Sequence, residues 1–256
     1  MRFNLIPLPA LRDNYIWLLA NEQAAVVVDP GEPGPVLQAL ADQRLALAAI
    51  LITHHHPDHM GGAAHLAATY DCPVYGPARE SIAAVDRPLH AGQCAEIHAL
   101  QARFEVLDIP GHTAGHLAYH GHNIVFCGDT LFSAGCGRLF EGTAAQMSQS
   151  LGKLAALPDA TSVCCGHEYT VANLRFAQVV EPQNREIRTY AEQAAERRRQ
   201  NLPTLPSNLA QERRVNPFLR CREPAVIAAA ARHAGRTPGD EIDVFAVIRG
   251  WKDTFT

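Results

Sequence analysis

Long apolar segments are missing from this chain of 256 residues. No run approaches the roughly 18 apolar residues that a membrane-spanning helix needs, so we predict no membrane span and no membrane partner. The opening segment, MRFNLIPLPALRDNY, also lacks the uninterrupted apolar region and the small-residue cleavage site of a secretory signal. The hydrophobic content of 47% is that of an ordinary globular protein.

Cysteine is present, but without the pattern of a disulfide framework. The chain has seven cysteines, an odd number, and two of them, Cys164 and Cys165, are adjacent. No pair has the CxxC spacing that would support a cysteine-bound metal. We therefore expect a protein of the reducing cytoplasm.

Lysine is nearly absent, with only Lys153 and Lys252, and charge is distributed unevenly. Residues 1–170 carry eight Lys and Arg against sixteen Asp and Glu, whereas residues 171–256 carry fourteen against ten. The acidic part suits divalent cations, and the basic part suits an anionic small molecule. The runs of arginine have few aromatic neighbours, so we interpret them as solvated helix faces and predict no nucleic-acid partner.

Histidine, in contrast, is concentrated in one place. Four histidines and an aspartate lie within the seven-residue segment THHHPDH at 53–59. The almost wholly apolar run 45–52 precedes it and predicts a buried strand. Imidazole and carboxylate together are the ligands of first-row transition metals, most often zinc, so the segment predicts a metal loop at the end of a strand.

The spacing within the loop indicates which side chains can share an ion. In an extended backbone His54 and His56 point to the same side, whereas His55 points away. Asp58 and His59 lie beyond a proline that redirects the chain. These two are therefore placed to serve a second, adjacent ion.

Three more segments repeat the arrangement of an apolar strand, a glycine and a polar side chain. They end in His112 of PGH, Asp129 of CGD and His167 of CGH. Glycine permits the turn and the close approach that such positions need. If the carboxyl ends of these strands converge, seven side chains meet: His54, His56, Asp58, His59, His112, Asp129 and His167.

Up to about residue 170, short β-rich runs alternate with helix-like stretches, which indicates layers of helix against sheet. The predicted strands are 15–19, 24–28, 48–52, 104–109, 123–127 and 162–165, and the predicted helices include 35–41 and 143–157, with Thr143 as N-cap. Further helices are predicted at 174–180, 185–200, 225–234 and 241–249, separated by proline-bearing breaks. We therefore predict two domains, 1–170 and 171–256. The pattern alone fits either two facing sheets or one doubly wound sheet.

The motifs THHHPDH, GHTAGH, CGDT and CGHEY, in this order, resemble those of the metallo-β-lactamase superfamily. Four further segments, LRDNYIWLL, GCGRLFEGT, NPFLRCRE and RGWKDTF, resemble the glyoxalase II (hydroxyacylglutathione hydrolase) family within it. The resemblance implies an α/β fold, an αββα sandwich of two mixed sheets between outer helices. It also implies a smaller, all-helical C-terminal domain that binds glutathione.

The resemblance also implies a ligand set for two divalent metal ions. One ion would be held by His54, His56 and His112, the other by Asp58, His59 and His167, with Asp129 and a water or hydroxide as bridges. Zinc is the expected metal, and iron or manganese also suits the mixed nitrogen and oxygen set. Asp29 is expected to orient the histidine loop. The alternative for Asp29 is a simple turn aspartate before Pro-Gly.

On the substrate side, the motif match implies that Arg138, Phe140, Tyr169, Arg249 and Lys252 line a pocket for glutathione. Arginine and lysine hold carboxylates strongly when partly desolvated. Phe140 stands where some family members have tyrosine, which puts that one contact in doubt. Two alternatives stay open: Phe140 could pack in the core, and Arg249 could be a charge at a helix end.

The expected activity is hydrolysis of S-2-hydroxyacylglutathione thioesters, with S-lactoylglutathione giving glutathione and lactate in methylglyoxal detoxification. A hydroxide bridging the two ions, held by Asp58 or Asp129, would attack the acyl carbonyl. The chain is expected to be a monomer. The alternatives are a one-iron persulfide dioxygenase, a β-lactam hydrolase, a metal-dependent nuclease and a non-catalytic metal- or glutathione-binding protein. The full set of seven ligands and the basic helical part favour the thioesterase.

Overall fold

The computed structural model describes residues 3–255, which divide into two compact units. The first unit takes in the described residues up to Asp108, with Thr113–Gly128 and Cys164–His167. The second takes in Ile109–His112, Asp129–Val163 and the described residues from Glu168 onward. Boundaries between the units therefore fall within three of the predicted ligand segments, GHTAGH, CGDT and CGHEY.

The first unit contains a six-stranded sheet whose strands follow chain order. They are β1 (Asn4–Ala10), β2 (Asn14–Ala20), β3 (Ala24–Val28), β4 (Ala46–Leu51), β5 (Val74–Pro77) and β6 (Arg87–Leu89). Pairing is antiparallel from β1 to β3 and parallel from β3 to β6. β2 and β3 are buried along their whole lengths, as their apolar runs predict. β1 is not among the predicted strands; it carries Pro7 and Pro9 and lies at the sheet edge, where proline is tolerated.

Three helices connect the strands of this sheet: α1 (Gly34–Gln43), α2 (Pro57–Met60) and α3 (Ala63–Tyr70). Apolar side chains of α1 and α3 share one buried cluster with strand residues, including Leu40, Leu66, Val27 and Ile50. Burial of this kind stabilises a domain by about 25 cal/mol for each Å² of apolar surface removed from water. The packed sheet and helices provide the rigid base from which the loop after β4 emerges.

A second sheet lies in the same unit, with β7 (Cys94–Ile97), β8 (Ala102–Asp108), β9 (Leu117–Gly121) and β10 (Ile124–Gly128) in antiparallel sequence. Cys164 and Cys165, the last two residues of β13 (Ser162–Cys165), continue this sheet beside β10. Buried hydrogen bonds connect the two sheets. The Tyr119 hydroxyl donates to the Ile52 carbonyl over 2.8 Å, and Trp17 Nε1 donates to the Cys165 carbonyl over 2.9 Å.

The second unit is mainly helical. It contains a separate hairpin of β11 (Leu131–Phe132) and β12 (Gly135–Cys136). It also contains the pairing of β13 (Ser162–Cys165) with β14 (Ser207–Asn208) through Ser162 and Val163. The helices are α4 (Ala144–Ala155), α5 (Thr170–Val180), α6 (Arg185–Arg199), α7 (Leu209–Val215), α8 (Pro224–Ala234) and α9 (Glu241–Thr254). Thr143 caps α4 in a reciprocal box with Gln146, which confirms the predicted N-cap. Within residues 3–255 no helix is both long enough and apolar enough to cross a membrane.

Candidate metal centre and basic cluster

The histidine loop leaves the carboxyl end of β4 and turns at once into α2. His56 is the N-cap of this short helix, with extended backbone angles, and Pro57 is its first residue. Proline at this position suits a helix start because its fixed φ is already helical. Asp58 and His59 therefore lie on a helical turn rather than on an extended strand, and the rings of His54 and His59 are adjacent, with centroids 4.2 Å apart.

Three predicted ligands of the first unit form a tight triangle. His59 Nε2 lies 3.4 Å from His167 Nε2, and each of these nitrogens lies 3.5 Å from Asp58 Oδ2. Ligands about 2.0 to 2.1 Å from a tetrahedral zinc ion are about 3.4 Å from one another. The two imidazoles are buried, while the Asp58 side chain is 38% exposed. The donor spacing therefore fits one divalent ion with a side open to solvent.

Hydrogen bonds at the far side of each ring fix the protons in this triangle. His59 Nδ1 lies 3.1 Å from Asp29 Oδ2, and His167 Nδ1 lies 2.8 Å from Asp13 Oδ1. A carboxylate accepts, so both Nδ1 atoms carry a proton, and in the neutral rings the Nε2 atoms carry the lone pairs. Two nitrogen lone pairs and a carboxylate oxygen then face one another, an arrangement that a cation stabilises.

The same reasoning applies to His54. The Thr53 hydroxyl donates to Asp29 Oδ2 over 2.7 Å, so its oxygen accepts from His54 Nδ1, 3.0 Å away. His54 Nε2 then carries a lone pair, 3.1 Å from His56 Nδ1. The structure thus brings the two alternate histidines together as their spacing predicts.

Asp29 supports both groups at once. It directly follows β3 with a positive φ of 53°, and its Oδ1 accepts from the backbone N–H of Thr53 over 2.8 Å. Its Oδ2 receives the Thr53 hydroxyl and His59 Nδ1. These contacts agree with an orienting role and go beyond those of a simple turn residue.

The second unit holds the other two predicted ligands, His112 and Asp129. His112 Nε2 lies 3.5 Å from Asp129 Oδ2, and His112 Nδ1 donates to the Arg138 carbonyl over 2.9 Å. His112 therefore also presents its Nε2 lone pair. Gly137 runs so close to this pair that a Cβ there would overlap the Asp129 carbonyl. The glycine is needed for that approach.

The glycine before Asp129 is required both by its backbone angle and by the side chains that surround it. Gly128 has a φ of +46°, and a Cβ there would overlap the Thr53 hydroxyl and lie 2.8 Å from the His116 ring. The space at Gly128 is therefore occupied by side chains that orient His54. The ring of His116 stacks on that of His54 with centroids 4.5 Å apart.

Two supporting residues were not predicted from the sequence. Asp13 accepts from His167, and Asn14 Nδ2 donates to Asp58 Oδ2 over 2.9 Å. Asp13 directly precedes β2 and Asn14 is its first residue, and the start of this strand lies beside the CGHEY segment, with Tyr15 N–H donating to the Gly166 carbonyl over 2.8 Å. A signal existed: the polar pair Asp-Asn stands at the amino end of an apolar strand, as the predicted ligands stand at the carboxyl ends of theirs.

Two of the predicted substrate-binding residues meet one carboxylate in the second unit, and a third, Lys252, lies next to it in the chain. Arg249 donates to Asp253 Oδ1 over 3.0 Å, and Arg138 Nε lies 3.8 Å from the same oxygen. Lys252 Nζ lies over the rings of Phe176 and Phe255, 5.5 and 5.6 Å from their centroids. We call Arg138, Arg249, Lys252 and Asp253 the basic cluster.

The basic cluster has more positive than negative charge. Burial, followed by the charges of Arg249 and Arg138, lowers the pKa of Lys252, and Asp253 opposes this only in part. Arg249 is buried and donates to the Cys136 carbonyl over 2.8 Å, so it is more than a helix-end charge. Three cations facing one carboxylate suit an anionic ligand group.

The two predicted aromatic residues have different surroundings. Phe140 is 62% exposed, so it is not a core residue, and its ring meets that of His112 edge-on with centroids 5.2 Å apart. Tyr169 is the N-cap of α5 and packs edge-on against Phe132, also at 5.2 Å. Phe140 therefore offers an exposed apolar surface directly beside a predicted metal ligand.

Comparison with known proteins places these features in a family. Residues 10–167 match the model of the metallo-beta-lactamase superfamily, and residues 168–255 match that of the hydroxyacylglutathione hydrolase C-terminus. Hydroxyacylglutathione hydrolase of Nitrosomonas eutropha is 52% identical over 252 residues, covering 98% of this chain and 99% of its own. The chain belongs to the hydroxyacylglutathione hydrolase family. The relative of the same name from Alkalilimnicola ehrlichii is 53% identical, covering 97% of this chain and 98% of its own.

Membership of the hydroxyacylglutathione hydrolase family confirms the predicted resemblance and the predicted fold class, mixed sheets with helices and a helical C-terminal region. Among solved structures, the di-iron-bound form of TTHA1623 is similar, with a TM-score of 0.58 and 28% identity, covering 84% of this chain and 100% of its own. The superfamily fold and the groups of histidine and aspartate described above support two divalent metal ions. The metal identity stays a prediction.

Proposed function

We propose that this chain hydrolyses S-2-hydroxyacylglutathione thioesters, with S-lactoylglutathione as a substrate and glutathione and lactate as products. Relatives that are about 50% identical over almost the whole chain are named hydroxyacylglutathione hydrolase, which supports the proposal. The observation that carries it is the triangle of Asp58, His59 and His167, whose ligand atoms are spaced as those around a divalent ion are. As a step in methylglyoxal detoxification, the reaction would release glutathione for reuse.

The proposed ligands are the predicted set. His54, His56 and His112 would hold one ion, and Asp58, His59 and His167 the other, with Asp129 shared. Zinc is the proposed metal because tetrahedral spacing and a set of imidazole and carboxylate ligands both suit it. Iron and manganese remain alternatives that elemental analysis distinguishes. We propose residues 1–170 as the metal-binding domain and 171–256 as the glutathione-binding domain, in line with the matches at 10–167 and 168–255.

The protein groups have defined tasks in this reaction. When bound, the two ions would supply Lewis acidity and lower the pKa of a bound water to about 7. Asn14 orients the Asp58 carboxylate by donating to its Oδ2. Asp58 is partly exposed, so its carboxylate can accept a hydrogen bond from the attacking water and align it. The leaving group is a thiolate of pKa about 8.5, so no dedicated general acid is required.

The basic cluster is the proposed recognition site for the glutathione moiety. Lys252 and Arg138 would hold a carboxylate of the peptide, because their charges are only partly offset by Asp253. Arg249 is committed to the Cys136 carbonyl and to Asp253, so we assign it the task of holding the cluster together. Phe140 and Tyr169 would contact the acyl and thiol portions. No membrane or nucleic-acid partner is part of the proposal.

We further propose a cytoplasmic location and a monomeric state. Five cysteines, Cys72, Cys94, Cys136, Cys164 and Cys221, are free thiols, which suits a reducing compartment. The mass of the native protein in solution, measured by light scattering, checks the monomer. A mass of twice 27.8 kDa would contradict it.

The decisive experiment measures turnover and metal content on the same preparation. We expect two equivalents of metal, hydrolysis of S-lactoylglutathione, and loss of activity on treatment with a chelator while the far-ultraviolet circular dichroism is unchanged. A matched substrate, the lactoyl thioester of a small thiol without the peptide, should be hydrolysed much less efficiently. A preparation with two bound metals and no turnover on S-lactoylglutathione would refute the proposal.

A further inference from the structure

A buried carboxylate outside the predicted ligand set contacts two ligand loops at once. Glu80 follows β5, and its side chain is only 3% exposed. Its Oε1 accepts hydrogen bonds from the Thr113 hydroxyl and from the backbone N–H of Gly115, the second over 3.1 Å. Its Oε2 lies 3.0 Å from Nδ1 of His55. One side chain therefore spans segments that are more than 20 residues away from it in either direction.

Each of these contacts is next to a predicted ligand in the chain. His55 lies between His54 and His56, and Thr113 directly follows His112. The peptide bonds on either side are planar, so fixing one residue restricts the direction of its neighbours. Glu80 is thus in a position to set the backbone of both loops without itself being a ligand.

The Glu80 side chain packs so closely against Gly115 that a larger residue would not fit at that position. A Cβ at Gly115 would lie 2.6 Å from Glu80 Cγ and 3.1 Å from the Cβ of Arg79. Thr113 is fully buried, so its hydroxyl, like the carboxylate, needs a polar partner inside the protein. The second glycine of GHTAGH is therefore explained by the approach of Glu80, and the threonine by its hydrogen bond.

We propose that Glu80 is a positioning residue that holds the histidine loop and the GHTAGH loop in the arrangement that binds metal. In this proposal His55 helps to hold the histidine loop in place, because its Nδ1 faces the Glu80 carboxylate and it is not a metal ligand. The inference rests on the metal site of the proposed function. It concerns metal affinity directly and turnover only through that affinity.

The test compares Glu80→Ala and Glu80→Gln with the wild-type protein. Apoprotein is titrated with Zn²⁺ in competition with a chromophoric chelator, without any substrate. The alanine variant should bind zinc about 10- to 100-fold more weakly, the usual effect of removing a group that orients ligands. The glutamine variant keeps an acceptor for Thr113 and Gly115 but loses the charge opposite His55, so its loss should be smaller. After saturation with zinc, KM for S-lactoylglutathione should stay at the wild-type value.

Two further variants make the result specific. Glu96→Gln removes an exposed carboxylate of the same unit and should leave zinc affinity unchanged. Thr113→Val removes the hydroxyl donor with little change in volume, and its effect should not add to that of Glu80→Ala, because both remove the same contact. The Thr113 and glutamine variants carry the test if the alanine variant fails to fold.

Wild-type zinc affinity in folded Glu80→Ala, or in both Glu80→Gln and Thr113→Val, would overturn the inference. A wild-type protein that binds two ions but does not hydrolyse S-lactoylglutathione would refute the proposed function instead. The two failures are therefore distinguishable, since the first is measured without turnover.

Discussion

The histidine groups and the basic cluster differ in the kind of charge they can bind: the first is rich in electron-pair donors and the second in positive charge. Three of the histidines use Nδ1 as a donor: His59 and His167 donate to carboxylates, and His112 donates to a backbone carbonyl. In the neutral rings the opposite nitrogens then present lone pairs to one another or to carboxylate oxygens. In the basic cluster the excess is of positive charge, with Arg138, Arg249 and Lys252 set against one carboxylate.

The difference indicates which charge each region can bind. A group of lone pairs in close contact is stabilised by a cation, and a group of cations is stabilised by an anion. In the proposed function, the first region would therefore bind metal and the second the anionic part of the thioester. Variants that change only one of the two regions can separate metal binding from substrate binding.

Asp129→Asn should have the greatest effect of these variants, because it changes the metal-binding region and leaves the basic cluster intact. Asp129 is the one carboxylate assigned to both ions, so its amide should abolish loading of two metals and lower kcat by more than the roughly 100-fold typical of orienting groups. Elemental analysis and kinetics on one preparation measure both. Retention of two equivalents of metal at wild-type affinity would contradict the assignment of Asp129.

A smaller effect is expected from Asp29→Asn. Asparagine tolerates the positive φ of this position, but its amide places donors where Thr53 and His59 already donate. Metal affinity should fall by about 10- to 100-fold, measured by competition with a chelator. Asp71→Asn is the matched control, because Asp71 has a φ of 50° and is exposed. Equal losses in the two variants would show that the effect is not specific to Asp29.

Lys252→Ala should have the mildest effect, because it removes one cation of the basic cluster and leaves the metal-binding region intact. Losing one charge-assisted hydrogen bond of about 1.5 to 3 kcal/mol should raise KM for S-lactoylglutathione by at least about 10-fold, with metal content and kcat little changed. Lys153→Ala, an exposed lysine on α4, is the control. Equal loss on a thioester without the peptide would remove Lys252 from the recognition site.

The lowered pKa of Lys252 adds a pH dependence to this variant. A lysine whose pKa is depressed loses its charge at a lower pH than an ordinary lysine. Binding of an anion by Lys252 should therefore weaken as pH rises toward the pKa, and KM should increase on that side. The alanine variant should lack this alkaline rise, and an identical rise in both proteins would assign it to another group.

Local sequence patterns predicted the elements whose causes are local. The runs YIWLL and AAVVV are buried strands because apolar side chains on both faces require cover. Thr143 begins a helix because its hydroxyl and the Gln146 side chain satisfy the first N–H groups. β1 escaped prediction because Pro7 and Pro9 weaken the strand pattern, and only its position at the sheet edge makes them acceptable.

The donor types, the alternation that places His54 beside His56 and the family resemblance could all be predicted from residue types and their spacing. The groups that anchor the metal loops depend on the folded chain: Asp13 lies 154 residues from His167, and Glu80 lies 33 residues from Thr113. A hydrogen bond forms only when folding brings two groups within about 3 Å. Local patterns carry no record of that approach, so the anchors of the metal loops are visible only in the folded chain.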